Sequence, residues 1–234
     1  MPGLTVEQTK WLQKTPLLAE LSDTELSFLG QRAVPRSYGP GQLIFSEGDP
    51  CEGLFVVESG EMRIFKTSAS GREQVLAIEG PGASVAELPV FDGGAYPASA
   101  SAVTRTSVLL IRKQDFQALC IQHPQVSLKV LTVVGTRLRR LVSIIEELSF
   151  TTVRHRLASQ LLRLANAKGA QSGQGIEFTL PNNQELAAQI GTVRELVSRN
   201  LSRLQAVGII RLHGKQVIVP DLRALQDEVE SDDE

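Results

Sequence analysis

The stretch that most constrains this chain runs from Asn182 to Leu204 and reads NNQELAAQIGTVRELVSRNLSRL. Asn182 and Glu185 have the spacing of a capping box, which predicts that a helix begins just after Asn182. Gly191 readily adopts the left-handed conformation that ends many helices, and Thr192 is a candidate cap for a second helix. Two short helices joined by a tight glycine turn predict a helix-turn-helix.

The second predicted helix has two different faces. Its apolar residues recur at helical spacing and predict a buried stripe of Leu196, Val197, Leu201 and Leu204. The other face begins with side chains that can read bases, because arginine donates two hydrogen bonds to guanine and glutamate accepts one from cytosine. We therefore predict base reading by Arg194, Glu195 and Arg199. The alternative is a solvated helix with a weak ion pair between Glu195 and Arg199.

Charge is unevenly distributed along the chain, although the net charge is only -2. Thr151 to Arg223 holds 10 Lys and Arg against 4 Asp and Glu, whereas Ala224 to Glu234 holds 6 acidic residues and no basic ones. The basic segment contains the predicted helix-turn-helix, so double-stranded DNA is the predicted partner. The acidic end is predicted to be a disordered tail.

Composition and motifs exclude several classes of protein. With 42% hydrophobic and 21% charged residues, no apolar run near membrane-spanning length and no signal peptide at the start, the chain is predicted to be cytoplasmic. Cys51 and Cys120 are isolated, so neither a disulfide framework nor a metal site is indicated. The chain lacks a phosphate-binding loop, a nucleophile elbow and metal-ligand spacing, so no enzyme is predicted.

The N-terminal half predicts a β-rich domain. Leu4 to Gly30 is predicted to be helical, with a capping box at Ser22 and Glu25. Between Tyr38 and Lys113, short β-rich runs alternate with turns, which predicts a jelly-roll sensor domain.

A long helix is predicted from Pro124 to Leu148. Its apolar residues recur at spacings of 3, 4, 3, 4 and 3, which is typical of a coiled-coil seam: Leu131, Val134, Leu138, Leu141, Ile145 and Leu148. The seam predicts a homodimer, whose twofold symmetry would suit a palindromic operator. The alternative is a stripe that packs on its own domain.

The remaining segments complete the predicted fold. Thr151 to Lys168 is predicted to be a helix, and Gly169 to Gly175 a linker. After the helix-turn-helix, two β runs flank Gly214 and predict a wing. Contacts to the DNA backbone are predicted for Thr192, Arg203 and Lys215. The fold class is α+β, divided into a sensor domain (1–123), a dimerisation helix (124–150), a winged helix-turn-helix (151–223) and an acidic tail (224–234).

The stretch QELAAQIGTVRELVSRNL resembles the helix-turn-helix of the cyclic-AMP receptor and fumarate-nitrate regulator (Crp-Fnr) family of bacterial transcription regulators. The recognition helix of that family carries Arg-Glu-x-x-x-Arg, and Arg194, Glu195 and Arg199 fall on those positions. GQLIFSEGDP, GLFVVESGEMRIFK and GASVAEL also follow the order seen in cyclic-nucleotide-binding rolls. The resemblance implies a homodimer that binds TGTGA-like half-sites, with RNA polymerase as a partner. The alternative is a cyclic-nucleotide-binding regulatory protein that acts on a protein partner.

The chain departs from the family where the effector would bind. The family's phosphate-binding cassette reads Gly-Glu-Leu and later Arg-Ser or Arg-Thr, and here these positions are Ala86, Glu87 and Leu88, then Pro97 and Ala98. The Thr-Ser pair that meets adenine is replaced by Leu141 and Val142.

Glu87 keeps the position that would accept a hydrogen bond from a ribose hydroxyl. We therefore expect cyclic AMP to bind weakly, unless Arg63 or Arg105 turns inward.

Other cofactors of the family are not indicated either. The cysteine cluster of its iron-sulfur members is absent, and the histidines lie outside the predicted strands, where a haem ligand would be needed: His123, His155 and His213. The effector is unknown, and a neutral ligand or none at all is expected.

Overall fold

The computed structural model describes residues 12–13, 15–19 and 21–230. They fall into two compact units. The first contains the described residues up to Lys66 together with Leu76–Leu141, and the second contains Thr67–Val75 and the described residues from Val142 onward. Among the described residues, no helix is both long and apolar enough to cross a membrane.

The β-rich domain is a roll of two four-stranded sheets, which confirms the predicted architecture. The sheet orders are β1-β8-β3-β6 and β2-β7-β4-β5. The strands are β1 (Val34–Tyr38), β2 (Leu43–Phe45), β3 (Gly53–Ser59), β4 (Met62–Thr67), β5 (Glu73–Glu79), β6 (Ser84–Val85), β7 (Ser99–Ala102) and β8 (Thr106–Arg112). Strand β1 begins before Tyr38, where the β-rich region was predicted to start.

Strand β3 is buried on both faces, which explains its continuous apolar run. Leu54 and Val56 belong to one hydrophobic cluster, which also includes residues from the helices of this unit. Phe55 and Val57 belong to a second cluster inside the roll. Side chains alternate between the two faces of a strand, so a strand between two cores needs apolar residues at every position.

Four helices of the described chain begin in the first unit: α1 (Asp23–Gly30), α2 (Glu87–Asp92), α3 (Lys113–Gln122) and α4 (Pro124–Phe150). The predicted capping box of α1 is confirmed, with Ser22 N donating to Glu25 Oε2 at 2.7 Å and Glu25 N donating to Ser22 Oγ at 3.4 Å. The part of the predicted N-terminal helical segment before residue 12 lies outside the described residues. His123 Nδ1 lies 2.8 Å from Glu25 Oε1, away from the strands of the roll.

The second unit contains α5 (Val153–Lys168), β9 (Ala170–Ser172), β10 (Gly175–Thr179), α6 (Asn183–Ile190), α7 (Arg194–Ala206), β11 (Arg211–His213), β12 (Gln216–Val219) and α8 (Leu222–Glu230). Its sheet has the order β11-β12-β10-β9. The linker prediction for Gly169 to Gly175 was wrong, because this segment forms β9 and the turn into β10. Strand β10 pairs with β12, so a contact far along the chain orders this polar stretch.

The prediction of a disordered acidic tail was also wrong for residues 224–230, which belong to α8. Leu225 is completely buried, and Leu222 and Val229 pack against the same hydrophobic cluster. Arg154 Nη2 also donates to Glu228 Oε2 at 2.8 Å. Three apolar residues at spacings of 3 and 4 anchor this acidic segment, and residues 231–234 lie outside the described part of the chain.

Candidate nucleic-acid interface and ligand cavity

The predicted helix-turn-helix is formed by α6, a glycine turn and α7. Asn182 Oδ1 accepts a hydrogen bond from Glu185 N at 2.9 Å, which provides the first of the two predicted capping bonds. Gly191 has a φ of 66°, the left-handed conformation that ends α6. A residue with a Cβ would be strained there, so glycine suits the turn.

Helix α7 has one buried and one exposed face. Val197, Leu201 and Leu204 are buried, and the amide of Asn200 donates to the carbonyl oxygen of Leu196 at 2.8 Å. The exposed side carries the three predicted base-reading residues, Arg194, Glu195 and Arg199. The buried stripe fixes the rotation of the helix, so these three side chains point toward solvent.

The structure places the predicted backbone contacts differently. Arg203 and Lys215 are exposed. Thr192, in contrast, is only 5% exposed, and Val193 rather than Thr192 is the N-cap residue of α7. The prediction that Thr192 caps α7 was therefore wrong, and its predicted contact with phosphate stays a prediction. Its position between two packed helices buries its side chain.

A groove of about 510 Å³ lies between α7 and the wing, which is the hairpin of β11 and β12. It is lined by Arg194, Ser198 and Ser202 of α7 and by Gly214 and Lys215 of the wing turn. Gly214 has a φ of 63°, which suits the tight turn between β11 and β12. The structure thus brings Arg194 and Lys215, which are 21 positions apart in sequence, to one basic groove.

The predicted seam on α4 is largely exposed. The exposed fractions are 66% for Leu131, 61% for Leu138 and 64% for Ile145, and smaller for Leu141 and Leu148. Val134 is half-buried and packs against the core of the first unit. An apolar stripe this exposed on a long helix is suited to pairing with another helix.

Arg156 is a buried cation that the sequence did not reveal. It is 7% exposed, and its Nε donates to the carbonyl oxygen of Ile190 at 2.8 Å. Its Nη1 donates to the carbonyl oxygens of Thr151 and Glu147. Burial lowers the pKa of this guanidinium, and Glu147 acts in the opposite direction. An arginine in an amphipathic helix is expected on the exposed face, so the sequence did not predict the burial of Arg156.

The roll contains a cavity of about 540 Å³. Five of the six predicted effector-pocket residues line it, namely Glu87, Leu88, Pro97, Ala98 and Leu141. Val142, the sixth, is 56% exposed and is not part of the lining. Most of the other lining side chains are apolar, and the Phe45 and Tyr96 rings stack with centroids 4.0 Å apart.

Glu87 is paired with an arginine that the sequence did not point to. Glu87 is 1% exposed, and its carboxylate accepts hydrogen bonds from Ser84 and from Arg137 of α4. The suggestion that Arg63 or Arg105 supplies this charge was wrong. Arg63 Nε donates to Ser101 Oγ at 3.0 Å, and Arg105 is exposed. Glu87 and Arg137 are 50 positions apart, so no spacing rule links them.

Two family models match the chain. The model of the cyclic nucleotide-binding domain matches residues 35–123, and the model of the Crp-like helix-turn-helix domain matches residues 155–228. The first match covers the roll, and the second covers the unit that carries the basic groove.

Relatives extend this similarity to nearly the whole length. The chain is 32% identical to the CRP-like cAMP-activated global transcriptional regulator of Mycobacterium tuberculosis, over 92% of this chain and 96% of that protein. It is 36% identical to the cyclic AMP receptor protein of Thermus thermophilus, over 90% of this chain and 93% of that protein. The structure of the c-di-GMP responsive global regulator CLP of Xanthomonas campestris matches with a TM-score of 0.76 at 25% identity, over 86% of this chain and all of that one.

Proposed function

This chain belongs to the Crp/Fnr family of transcription regulators, and from that premise we propose that it binds a palindromic operator with TGTGA-like half-sites as a homodimer. The observation that carries the proposal is the exposure of Arg194, Glu195 and Arg199 together on α7, opposite its buried stripe. In a helix-turn-helix the first turns of the second helix meet base edges in the major groove. Lys215 and Arg203 would then bind phosphates on either side of the base contacts.

The exposed seam of α4 supports the homodimer. Leu131, Leu138 and Ile145 are each more than 60% exposed in the single chain. A second copy of α4 would cover this stripe, and a twofold dimer would present two recognition helices to the two halves of a palindrome. From the family resemblance we also propose that the protein acts in the cytoplasm, has no enzymatic activity, and has RNA polymerase as a partner.

We further propose that the roll does not bind cyclic AMP in the usual way. Pro97 and Ala98 occupy the positions where the family's cassette carries its phosphate partners, and both line the cavity. Charge-assisted hydrogen bonds contribute about 1.5–3 kcal/mol each, so the loss of two would weaken a phosphate ligand roughly 100- to 10,000-fold. Leu141 offers no hydrogen bond to a base.

Selection of binding sites from random duplexes by the full-length protein tests the proposal. We expect recovery of an inverted repeat whose half-sites resemble TGTGA, at a spacing that places the two half-sites about one helical turn apart. Recovery of unrelated half-sites would show that the base-reading positions do not act as they do in the family. Recovery of single half-sites would contradict the dimer. Titration of the selected operator with and without cyclic AMP then tests the sensor.

A further inference from the structure

The cavity in the roll has the size and walls of a small-molecule site. Its volume of about 540 Å³ lies within the range of roughly 300–1,000 Å³ typical of ligand pockets. The stacked rings of Phe45 and Tyr96 form part of one wall, and Ile64, Leu76 and Val85 also line it. A ligand in this cavity would contact mainly carbon.

The phenol of Tyr96 does not provide a free polar group. Tyr96 is 3% exposed, and its hydroxyl oxygen accepts a hydrogen bond from Glu52 N at 3.0 Å. Burial raises the pKa of Tyr96 to about 12, so the phenol stays neutral at physiological pH. The aromatic wall is therefore uncharged, and its one hydroxyl already has a partner.

The charged side chains at the cavity are matched within the protein. Lys66 is paired with Glu47, and its ammonium also donates to the carbonyl oxygen of Pro97 at 3.1 Å. Arg137 is paired with Glu87 and lies 3.7 Å from Glu79. An anionic ligand would have to compete with carboxylates for these cations, and a cationic ligand would have to compete with Arg137.

Arg140 is the remaining cation of the lining, and it is exposed on α4. A charged group placed against it would stay in water, where ion pairs are weak and are screened by salt. Arg140 therefore gives little preference for an anionic ligand in the cavity.

We infer that this cavity binds a neutral, predominantly apolar small molecule. Its apolar walls reward burial of carbon, and the matched charges at its edge penalise a net charge on the ligand. We also infer that this molecule is the effector. That statement rests on the proposed function, because an effector changes the affinity of a DNA-binding regulator for its operator.

Fluorescence titration of the full-length protein with N-phenyl-1-naphthylamine, a neutral apolar dye, tests the inference. We expect saturable binding with one dye per chain. The anionic relative 1-anilinonaphthalene-8-sulfonate should bind at least about tenfold more weakly, because its sulfonate would meet cations already paired with carboxylates or the solvent-exposed Arg140. Cyclic AMP should not displace the neutral dye.

Two leucines of the roll provide a matched pair of variants. Leu88 and Leu43 are 50% and 49% exposed, and only Leu88 lines the cavity. Leu88→Gln should weaken dye binding about three- to tenfold, whereas Leu43→Gln should leave it unchanged. Ala98→Phe should fill part of the cavity and weaken binding by about tenfold or more. Circular dichroism checks that each variant is folded. If Ala98→Phe does not fold, the test of the cavity rests on Leu88→Gln.

Several results would overturn the inference. One is tighter binding of the sulfonated dye or of cyclic AMP than of the neutral dye. If Lys66→Met then abolished binding of the anion, the anion would have displaced Glu47 from Lys66. Another is equal binding by the Leu88→Gln and Leu43→Gln proteins, which would place the dye elsewhere. Operator binding is measured on the same samples. A protein that binds its operator but not the dye refutes only the ligand inference, and one that binds the dye but no operator refutes only the proposed function.

Discussion

Arg156 Nε donates a hydrogen bond to the carbonyl oxygen of Ile190 at 2.8 Å, which ties the first turn of α5 to the last residue of α6. The same guanidinium also donates to the carbonyl oxygen of Thr151, just beyond α4. Carbonyls at the end of a helix lack partners within the helix and carry partial negative charge. One buried cation therefore satisfies the carboxyl ends of two helices and holds the helix-turn-helix against α5.

Replacement of Arg156 by methionine should destabilise the second unit by about 2–3 kcal/mol, because it leaves buried carbonyl oxygens without a donor. Urea unfolding followed by circular dichroism measures the change. Arg163→Met is the control on the same helix, since Arg163 is 56% exposed and its pair with Glu147 has an N–O distance of 3.6 Å. The control should cost less than about 1 kcal/mol. Equal losses in the two variants would show that the carbonyl contacts of Arg156 contribute little.

Arg199→Ala should weaken operator binding by about 1–3 kcal/mol and relax the preference at one guanine position. The measurement is a titration against the selected operator and against duplexes substituted at single positions. Arg223→Ala removes the same charge from an exposed position on α8 and serves as the control. A loss that is equal on all duplexes would assign Arg199 to phosphate binding instead.

Lys215→Ala should weaken binding to specific and random duplexes alike, because we propose that this exposed lysine of the wing turn contacts phosphate and not a base. The slope of log affinity against log salt concentration should fall in magnitude by about one. Affinities measured over a series of salt concentrations give this slope. An altered base preference with an unchanged slope would contradict the phosphate assignment.

Ile145→Glu should convert the protein to a monomer that binds its operator poorly, because the dimer would bury two like charges against each other. Ile145 is a better probe of the seam than Leu138, which also lines the cavity. Thr136→Glu, at an exposed position on the opposite side of α4, should remain dimeric. Sedimentation at micromolar concentration distinguishes the two states. A monomeric unmutated protein would refute the proposed dimer.

Arg137→Met should destabilise the first unit by about 3–5 kcal/mol, because the buried carboxylate of Glu87 would lose its cation. Addition of Glu87→Gln to this variant removes the unpaired charge and should restore part of the stability. Thermal unfolding of the two variants measures the difference. If the double variant is less stable than Arg137→Met alone, the neighbouring groups compensate the carboxylate without Arg137.

The parts of this protein that depend on local chemistry could be predicted from the amino-acid sequence. Helix caps, the glycine turn at Gly191 and the apolar periods of α4 and α7 are set by residues a few positions apart. They predicted the helix-turn-helix and the long helix with nearly the observed bounds, and the two β runs that flank Gly214 predicted the wing. The exposure of Arg194, Glu195 and Arg199 on α7 followed directly, because a buried stripe leaves the other side of a helix exposed.

Features that depend on residues far apart in the chain became visible once the chain was folded. The pairing of β10 with β12 ordered a segment that looked like a linker, and apolar contacts of Leu225 ordered an acidic end. The partner of Glu87 proved to be Arg137, from a helix 50 positions away. Thr192 was buried by the packing around it. Spacing rules describe neighbours within one element, whereas these contacts arise from the way separate elements meet.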